Sequence, residues 1–310
     1  MNLFRPIALV LLAAAPATAA DVTPKQVELR DAFEGRQLLV NANGRDATRT
    51  ARFTSANPSI ATVDEKGYVS PVADGRTAIR IQVGSETLET PVIVSGVAKG
   101  RAVDFRTEVQ PLLSKLGCNA GGCHGKASGQ NGFKLSLFGF DMEFDYAAIT
   151  REARGRRVFA ANPDESLFLT KATGKAPHGG GKRLTPAGSD YQVIRRWLAT
   201  GAPATAPDVP RVVKLRVSPT DAVLAANQLQ QLAVVAEYSD GSTRDVTRQS
   251  EFAGNLDVVA IVEPDGRTVR AAPPGLTAHR SRDLRAFFGD GGAGVTRSGP
   301  GTGPARPPTG

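Results

Sequence analysis

Cys118, Cys123 and His124 stand close together in the run Gly117-Cys118-Asn119-Ala120-Gly121-Gly122-Cys123-His124-Gly125, and the chain has no other cysteine. The pattern is C-x-x-x-x-C-H. Two thiols can form thioethers with the vinyl groups of a haem, and an imidazole beside them can reach the iron. The usual spacing has two residues between the thiols, where this chain has four. Gly121 and Gly122 let the longer loop fold tightly. Other chemistry uses the same residues. A local Cys118–Cys123 disulfide forms readily in an oxidising compartment. A zinc site is less well served, because the whole chain has two Cys and three His. The adjacent His124 favours covalently bound haem c, with Cys118 and Cys123 as tethers and His124 as proximal ligand.

A low-spin haem takes Met or His on its second axial side. The candidates are Met142, His178 and, farther along, His279. His178 lies in the Gly-rich loop Pro177-His178-Gly179-Gly180-Gly181, which permits close backbone approach to a flat ligand, and it is the favoured choice. Its bland alternative is a solvated loop histidine. Lys182-Arg183 and Arg195-Arg196 are candidates for holding haem carboxylates, although such pairs more often form a solvated face. Asp141, Glu143 and Asp145 lack the spacing of a calcium loop and read as an acidic turn. The sequence shows no serine-hydrolase elbow, phosphate loop or paired-carboxylate pattern, so no catalytic residue is assigned.

The elements that must position these groups are helical. Phe105, Val109, Leu112, Leu113 and Leu116 fall on one helical face, with Asp104 as N-cap. Pro111 must kink that helix or mark its true start. Helices are also expected over 145–151 and 163–173. A last one opens on a capping box, Ser189-Asp190-Tyr191-Gln192, and carries Tyr191, Ile194, Trp197 and Leu198 to a stop at Gly201. Trp197 reads as core.

On either side the period changes to that of strands. Short alternating runs such as Gln37–Asn41 and Ala78–Val83 are separated by turn clusters, the signature of a sandwich. The segment Phe53–Asp64 is echoed by Phe252–Glu263, and Gly turns follow each, so two copies of one β module flank the helical part.

The start of the chain joins a basic Asn2-Leu3-Phe4-Arg5 to an apolar run, Ile7–Ala15, too short to span a bilayer. Ala17-Thr18-Ala19 then completes a signal peptide over residues 1–20, cleaved after Ala19 or Ala20. No later run is long enough to span a membrane. The net charge of +8 is scattered, without the clustered basic face that nucleic-acid binding wants. The expected location is the periplasm, the cell surface or the extracellular space.

Two resemblances sharpen this. Asn57-Pro58-Ser59-Ile60-Ala61-Thr62-Val63-Asp64, with Gly67 and Gly75, and Tyr238–Ser242 with Asp245-Val246-Thr247 resemble bacterial Ig-like domains of the second, invasin/intimin-type group. Residues 104–203 resemble the planctomycete-type cytochrome c domain. The residues that carry this are Phe105-Arg106, Pro111-Leu112-Leu113, Leu116–Gly125, Gly132–Gly139, Pro163–Leu169, Pro177–Arg183 and Arg196-Trp197-Leu198. In small c-type domains a distal Met usually occupies the loop before the last helix; related domains often read Met-Pro there, and this chain reads Ala176-Pro177-His178. The cytochrome resemblance also implies a larger secreted protein with further C-terminal domains.

The expected architecture is therefore multidomain. It runs from an all-β Ig-like sandwich (21–97) through a small all-α cytochrome-c-like domain (104–203) and a Pro-rich linker (204–212) to an incomplete second sandwich (213–278). Residues 279–310 are expected to be disordered, because their composition buries too little surface. Either the reading frame shifts near 271–279 or this is a natural linker tail. The favoured function is one-electron transfer or haem-based sensing, with a redox protein or further domains of a longer chain as partner; the chain is expected either to have no enzyme activity of its own or to be the electron-transfer or recruiting portion of a larger enzyme. The alternative is a cell-surface adhesion protein whose Ig-like modules bind polysaccharide or protein, with Cys118–Cys123 as a structural disulfide.

Overall fold

The computed structural model describes residues 20–254, 260–263 and 267–271, and the strands His279–Arg280, Leu284–Phe287 and Gly294–Val295 as backbone. The signal segment 1–19 lies outside the described residues.

Residues 21–94 form a β-sandwich. One sheet has the order Val27–Leu29, Glu86–Val94, Gly75–Val83, Arg52–Ser55, with the first pair parallel and the others antiparallel. Strands Asp21–Thr23, Leu39–Ala42 and Arg45–Asp46 form a second sheet, and Arg36–Gln37, Tyr68–Pro71 and Ala61–Val63 a third. The alternation read from the sequence is the alternation of burial. Ile79, Ile81, Val92 and Val94 point inward and join Val27, Leu29, Leu38 and Val40 in one core.

The second module repeats this plan. Val212–Ser218, Ala233–Tyr238 and Thr243–Asp245 form one sheet, and Leu229–Gln231, Thr268–Ala271 and Ala260–Val262 another. Leu215, Leu232, Val234, Phe252 and Val269 form its core. A structureless tail after residue 278 is not what is found in three short segments. Leu284–Phe287 pairs with Glu251–Gly254 and with Gly294–Val295, and His279–Arg280 pairs with Val223–Leu224. The physical reason is that the backbone N–H and C=O groups along the edges of 251–254 and 223–224 are satisfied by pairing with a further strand. The rest of 279–310, and the side chains of these three segments, lie outside the described residues.

Between the sandwiches, residues 104–203 hold the helices and no strand beyond an isolated bridge, Gln130↔Phe133. The expectation of a small all-α domain needs correction. The α-helices are short, α1 (Gln110–Lys115), α2 (Met142–Thr150), α3 (Leu167–Ala172) and α4 (Ser189–Ala199), and loops join them over longer stretches. The cause lies in the residues between: a density of Gly and Pro that helices do not tolerate. Asp104 caps the first turn as expected, its carboxylate accepting from the Thr107 N–H at 2.8 Å. Pro111 has no N–H to give, and the turn before it widens to a π-helix over Phe105–Val109. The expected 163–173 helix is broken at Ser166, whose ψ of 131° is extended. The capping box at Ser189 does not form: Gly188 is the N-cap, and Gln192 donates instead to the Pro186 carbonyl.

The core of this unit gathers Phe105, Val109, Leu112, Leu113, Ile149, Ile194 and Trp197. Phe105, Tyr146 and Trp197 form an aromatic triangle, with Phe105 5.4 Å from each of the other ring centres and those two 6.5 Å apart. Trp197 is wholly buried, and its Nε1–H donates to the Pro203 carbonyl at 2.9 Å.

An ionic cluster ties the three parts together. Asp31 of the first sandwich, Glu108 of the helical unit and Arg244 of the second sandwich meet around Arg101 of the connecting segment. Burial would raise the Asp31 pKa. The two guanidiniums outweigh it and hold the carboxyl below its ordinary value.

Candidate functional site

Helix α1 delivers the thiol loop. Gly117 takes a left-handed φ of +71° and ends the helix. The chain then folds back on itself: Cys118 N–H donates to Leu113 O at 2.9 Å, Cys123 N–H to Ala120 O at 2.9 Å, and His124 N–H to Cys118 O at 3.0 Å. Gly125 is required for this turn, since a Cβ there would meet the Asn119 carbonyl oxygen at 2.0 Å. Leu135 N–H donates to His124 O at 2.9 Å and pins the loop to the core.

His124 is half-buried. Its Nδ1 lies 3.0 Å from the Phe133 carbonyl, and its ring packs against Phe133 at 4.5 Å. On that same phenyl ring sits the Arg157 guanidinium, 4.4 Å from the ring centre. His178 has the same arrangement in its own loop, with Nδ1 2.8 Å from the Gly181 carbonyl. A carbonyl only accepts, so in both rings Nδ1 carries the proton and Nε2 keeps its lone pair. The two rings are 6.2 Å apart, centre to centre, and within 11° of parallel. Burial, and then the charges of His178 and Arg157, lower the His124 pKa against the opposing pull of the Phe133 carbonyl, which favours the neutral, ligating form.

These groups line a cleft of about 470 Å³ between the thiol loop and the 177–184 loop. Leu113, Leu135, Leu184 and Ile194 make an apolar floor. Arg156, Arg157, Lys171 and Arg183 stand in its wall, and no carboxylate does. Cys118 and Cys123 stand on one side as free thiols. Burial pushes the Cys118 thiol up to about 11, while Arg183 draws it back in part. A protonated thiol is a poor zinc ligand. Among the described residues no three His, Cys, Asp or Glu side chains converge as a metal site.

The structure thus brings together Cys118, Cys123, His124 and His178. It does not bring Met142, whose side chain packs against the helical core and is absent from the cleft wall. The side chain of His279 lies outside the described residues. Of the four expected basic residues, only Arg183 reaches the cleft. Arg195 pairs with Asp164, and Arg196 donates to the Gly100 carbonyl at 3.2 Å, so both serve structure. Asp141 caps α2, and Asp145 is buried against Ser136 and Gln110, which removes the calcium reading. Sequence reasoning missed Arg157. It is buried and clasps the carbonyls of Ala148, Glu152 and Gly132. Nothing in the local pattern Gly155-Arg156-Arg157 separates it from its exposed neighbour.

Residues 49–96 match the model of the bacterial Ig-like domain. No curated protein matches the chain. Among solved structures it is similar to domains 4 and 5 of the S-layer protein SbsC, at 24% identity over 25% of this chain and 51% of that one, TM-score 0.22. It is also similar to SbsC domains 5–6, at 13% identity over 89% of this chain and 92% of that one, TM-score 0.31. SbsC domains 4–9 align at 12% identity over 90% of this chain, TM-score 0.30. The chain spans about half of the first of these structures and 30% of the last. Such scores carry no argument about function. The family match covers the later part of the first sandwich and leaves 104–203 unassigned. It is compatible with a cell-surface or extracellular protein, and it speaks for the Ig-like alternative more than for haem chemistry. No described helix is long and apolar enough to cross a membrane.

Proposed function

We propose that the helical unit binds haem c in the cleft between the thiol loop and the 177–184 loop, and that the Ig-like modules are its frame. The observation that carries this reading is the pair His124 and His178. Both rings have Nδ1 tied to a backbone carbonyl, both leave Nε2 free, and their centres are 6.2 Å apart. Two imidazoles on the two loops that bound the cleft would supply the donors that a haem iron takes from the chain. Among the described residues no third metal-ligating side chain joins them, which would suit a group that brings its own nitrogen donors.

Cys118 and Cys123 are the tethers. His124 is the proximal ligand and His178 the distal one, and both are held in ligating tautomers by second-sphere carbonyls. Phe133, packed between His124 and Arg157, fixes the proximal ring. Haem bound here supplies one-electron redox chemistry. If His124 and His178 both held the iron, electron transfer, or sensing by loss of a ligand, would fit better than substrate turnover. The electron partner is a redox protein or a further domain of a longer chain, outside the cytoplasm.

The test is expression with a c-type maturation system. A pyridine haemochrome spectrum of a covalent haem and a low-spin visible spectrum are expected. A colourless product, with both thiols still titratable, overturns the reading and leaves the alternative. In that alternative, which the family match at 49–96 favours, the sandwiches bind a surface polysaccharide or protein and the helical unit is a spacer.

A further inference from the structure

The two sandwiches are copies in sequence, and they meet through copies of the same residues. Gln37, Asp46, Thr48 and Arg49 in the first correspond to Gln231, Asp245, Thr247 and Arg248 in the second. The local bonding is the same in each. Asp46 Oδ1 accepts from the Thr48 N–H at 2.9 Å, and Asp245 Oδ1 accepts from the Thr247 N–H at 2.9 Å. Thr48 Oγ1 accepts from the Val40 N–H at 2.8 Å, and Thr247 Oγ1 from the Val234 N–H at 2.8 Å.

The remaining oxygen of each aspartate crosses to the other module. Asp245 Oδ2 accepts from the Gln37 N–H at 2.8 Å, and Asp46 Oδ2 accepts from the Gln231 N–H. The arginines cross too. Arg49 donates to Thr268 Oγ1 at 3.1 Å. Arg248 lies 3.7 Å over the Tyr68 ring and pairs with Asp64 at 2.7 Å. Tyr68 and Thr268 are themselves equivalent, being the strand partners of Gln37 and Gln231. Residue i of one module thus meets residue j of the other, and j meets i, which is the definition of an isologous contact. Gln37 and Gln231 are buried in it, and Asp245 is nearly so.

We infer that this face is a homotypic recognition surface whose external partner is the Ig-like module of a second copy of the chain. A face that recognises its own equivalent within the chain presents the same donors and acceptors to that equivalent in another chain. Closing the seam within one chain is favoured by the short connections through 95–103 and 203–211, which keep the two faces at high effective concentration. When the seam opens, each freed face fits the opposite module of a second chain, and reciprocal exchange makes both seams again in a dimer. The inference stands on the sandwiches alone and does not depend on haem.

The test uses two full-length variants, Asp64→Arg and Arg248→Asp. Each alone sets like charges across its seam, both within one chain and in a dimer with itself. Mixed, they form an exchanged heterodimer in which one seam has the swapped pair and the other the native pair. Light scattering should show each variant alone as monomer and the equimolar mixture with a dimer as its main species. The double variant Asp64→Arg/Arg248→Asp should close as a monomer like the parent, which also reports whether the turn survives in which Asp64 Oδ1 accepts from the Lys66 and Tyr68 N–H groups. A second arm replaces Cys118 and Cys123 by Ser, then mixes Arg49→Cys chains with Thr268→Cys chains after brief exposure to mild denaturant. An interchain disulfide between the two kinds of chain is expected. A mixture that stays monomeric, with no cross-link in the second arm, overturns the inference.

Discussion

Gly125→Ala tests whether the thiol loop is built as described. An added Cβ would lie 2.0 Å from the Asn119 carbonyl oxygen, 2.7 Å from its carbon and 3.0 Å from the Ala120 carbonyl oxygen. Carbon–oxygen contacts settle at about 3.3 Å or more, so the loop must open by roughly 1 Å. All the close atoms are backbone, and no side chain can swing away to make room. Opening the loop strains the His124 N–H to Cys118 O, Cys123 N–H to Ala120 O and Gly125 N–H to Ala120 O bonds. Loss of two bonds at about 1 kcal/mol each, with about 1 kcal/mol of overpacking, gives a cost of about 3 kcal/mol. Gly122→Ala is the control, because nothing lies within 4 Å of a Cβ there. It should stay within about 0.5 kcal/mol of the parent. The assay is urea unfolding followed by tryptophan fluorescence. The chain has one tryptophan, Trp197, in the helical core, so the signal reports that unit alone. Equal midpoints for the two variants would refute the loop geometry. A large loss for Gly122→Ala would do the same.

In the haem-loaded protein, His178→Ala should convert a low-spin spectrum to a high-spin one that binds carbon monoxide, while Met142→Ala leaves the spectrum unchanged. The reverse pattern removes His178 as ligand. Trp197→Ala should cost about 3–5 kcal/mol by urea unfolding, read by circular dichroism, because a fully buried ring is lost and the Pro203 carbonyl is left without its donor. Asp31→Asn should cost about 2–4 kcal/mol at pH 7, since it leaves Arg101 and Arg244 facing a neutral partner. The folded pKa of Asp31 lies below the ordinary 3.8, so its carboxylate stabilises the fold above that value and the contribution fades as the pH falls below it. The gap between parent and variant should therefore close in acid. A gap that stays constant down to pH 2 would contradict the assignment.

The sequence alone determined whatever depends on neighbours along the chain. Thiols and imidazole are adjacent at Cys118, Cys123 and His124, so their presence in one loop was legible from spacing. The sandwich strands were legible because alternation at Ile79 and Ile81 is burial itself, and the helical core because Phe105, Val109, Leu112 and Leu113 share one face. The repeat was visible too, since equivalent residues recur in order. Helix ends were less legible: the box at Ser189 had the right letters, yet the Gln192 side chain found the Pro186 carbonyl instead. Only the tertiary structure decided which distant groups meet. His178 faces His124 and Met142 does not, because the packing of α4 and the 177–184 loop sets the far wall of the cleft. Arg195 and Arg196 became structural clasps, while Arg157 and Arg183 reached the cleft, although all carry the same charge on the same kind of stem. The reciprocal seam of Asp46 and Asp245 lies between modules far apart in the chain, and its symmetry exists only once the helical unit has set them face to face. Local chemistry is written in spacing, whereas contact between remote loops depends on the packing of everything between them.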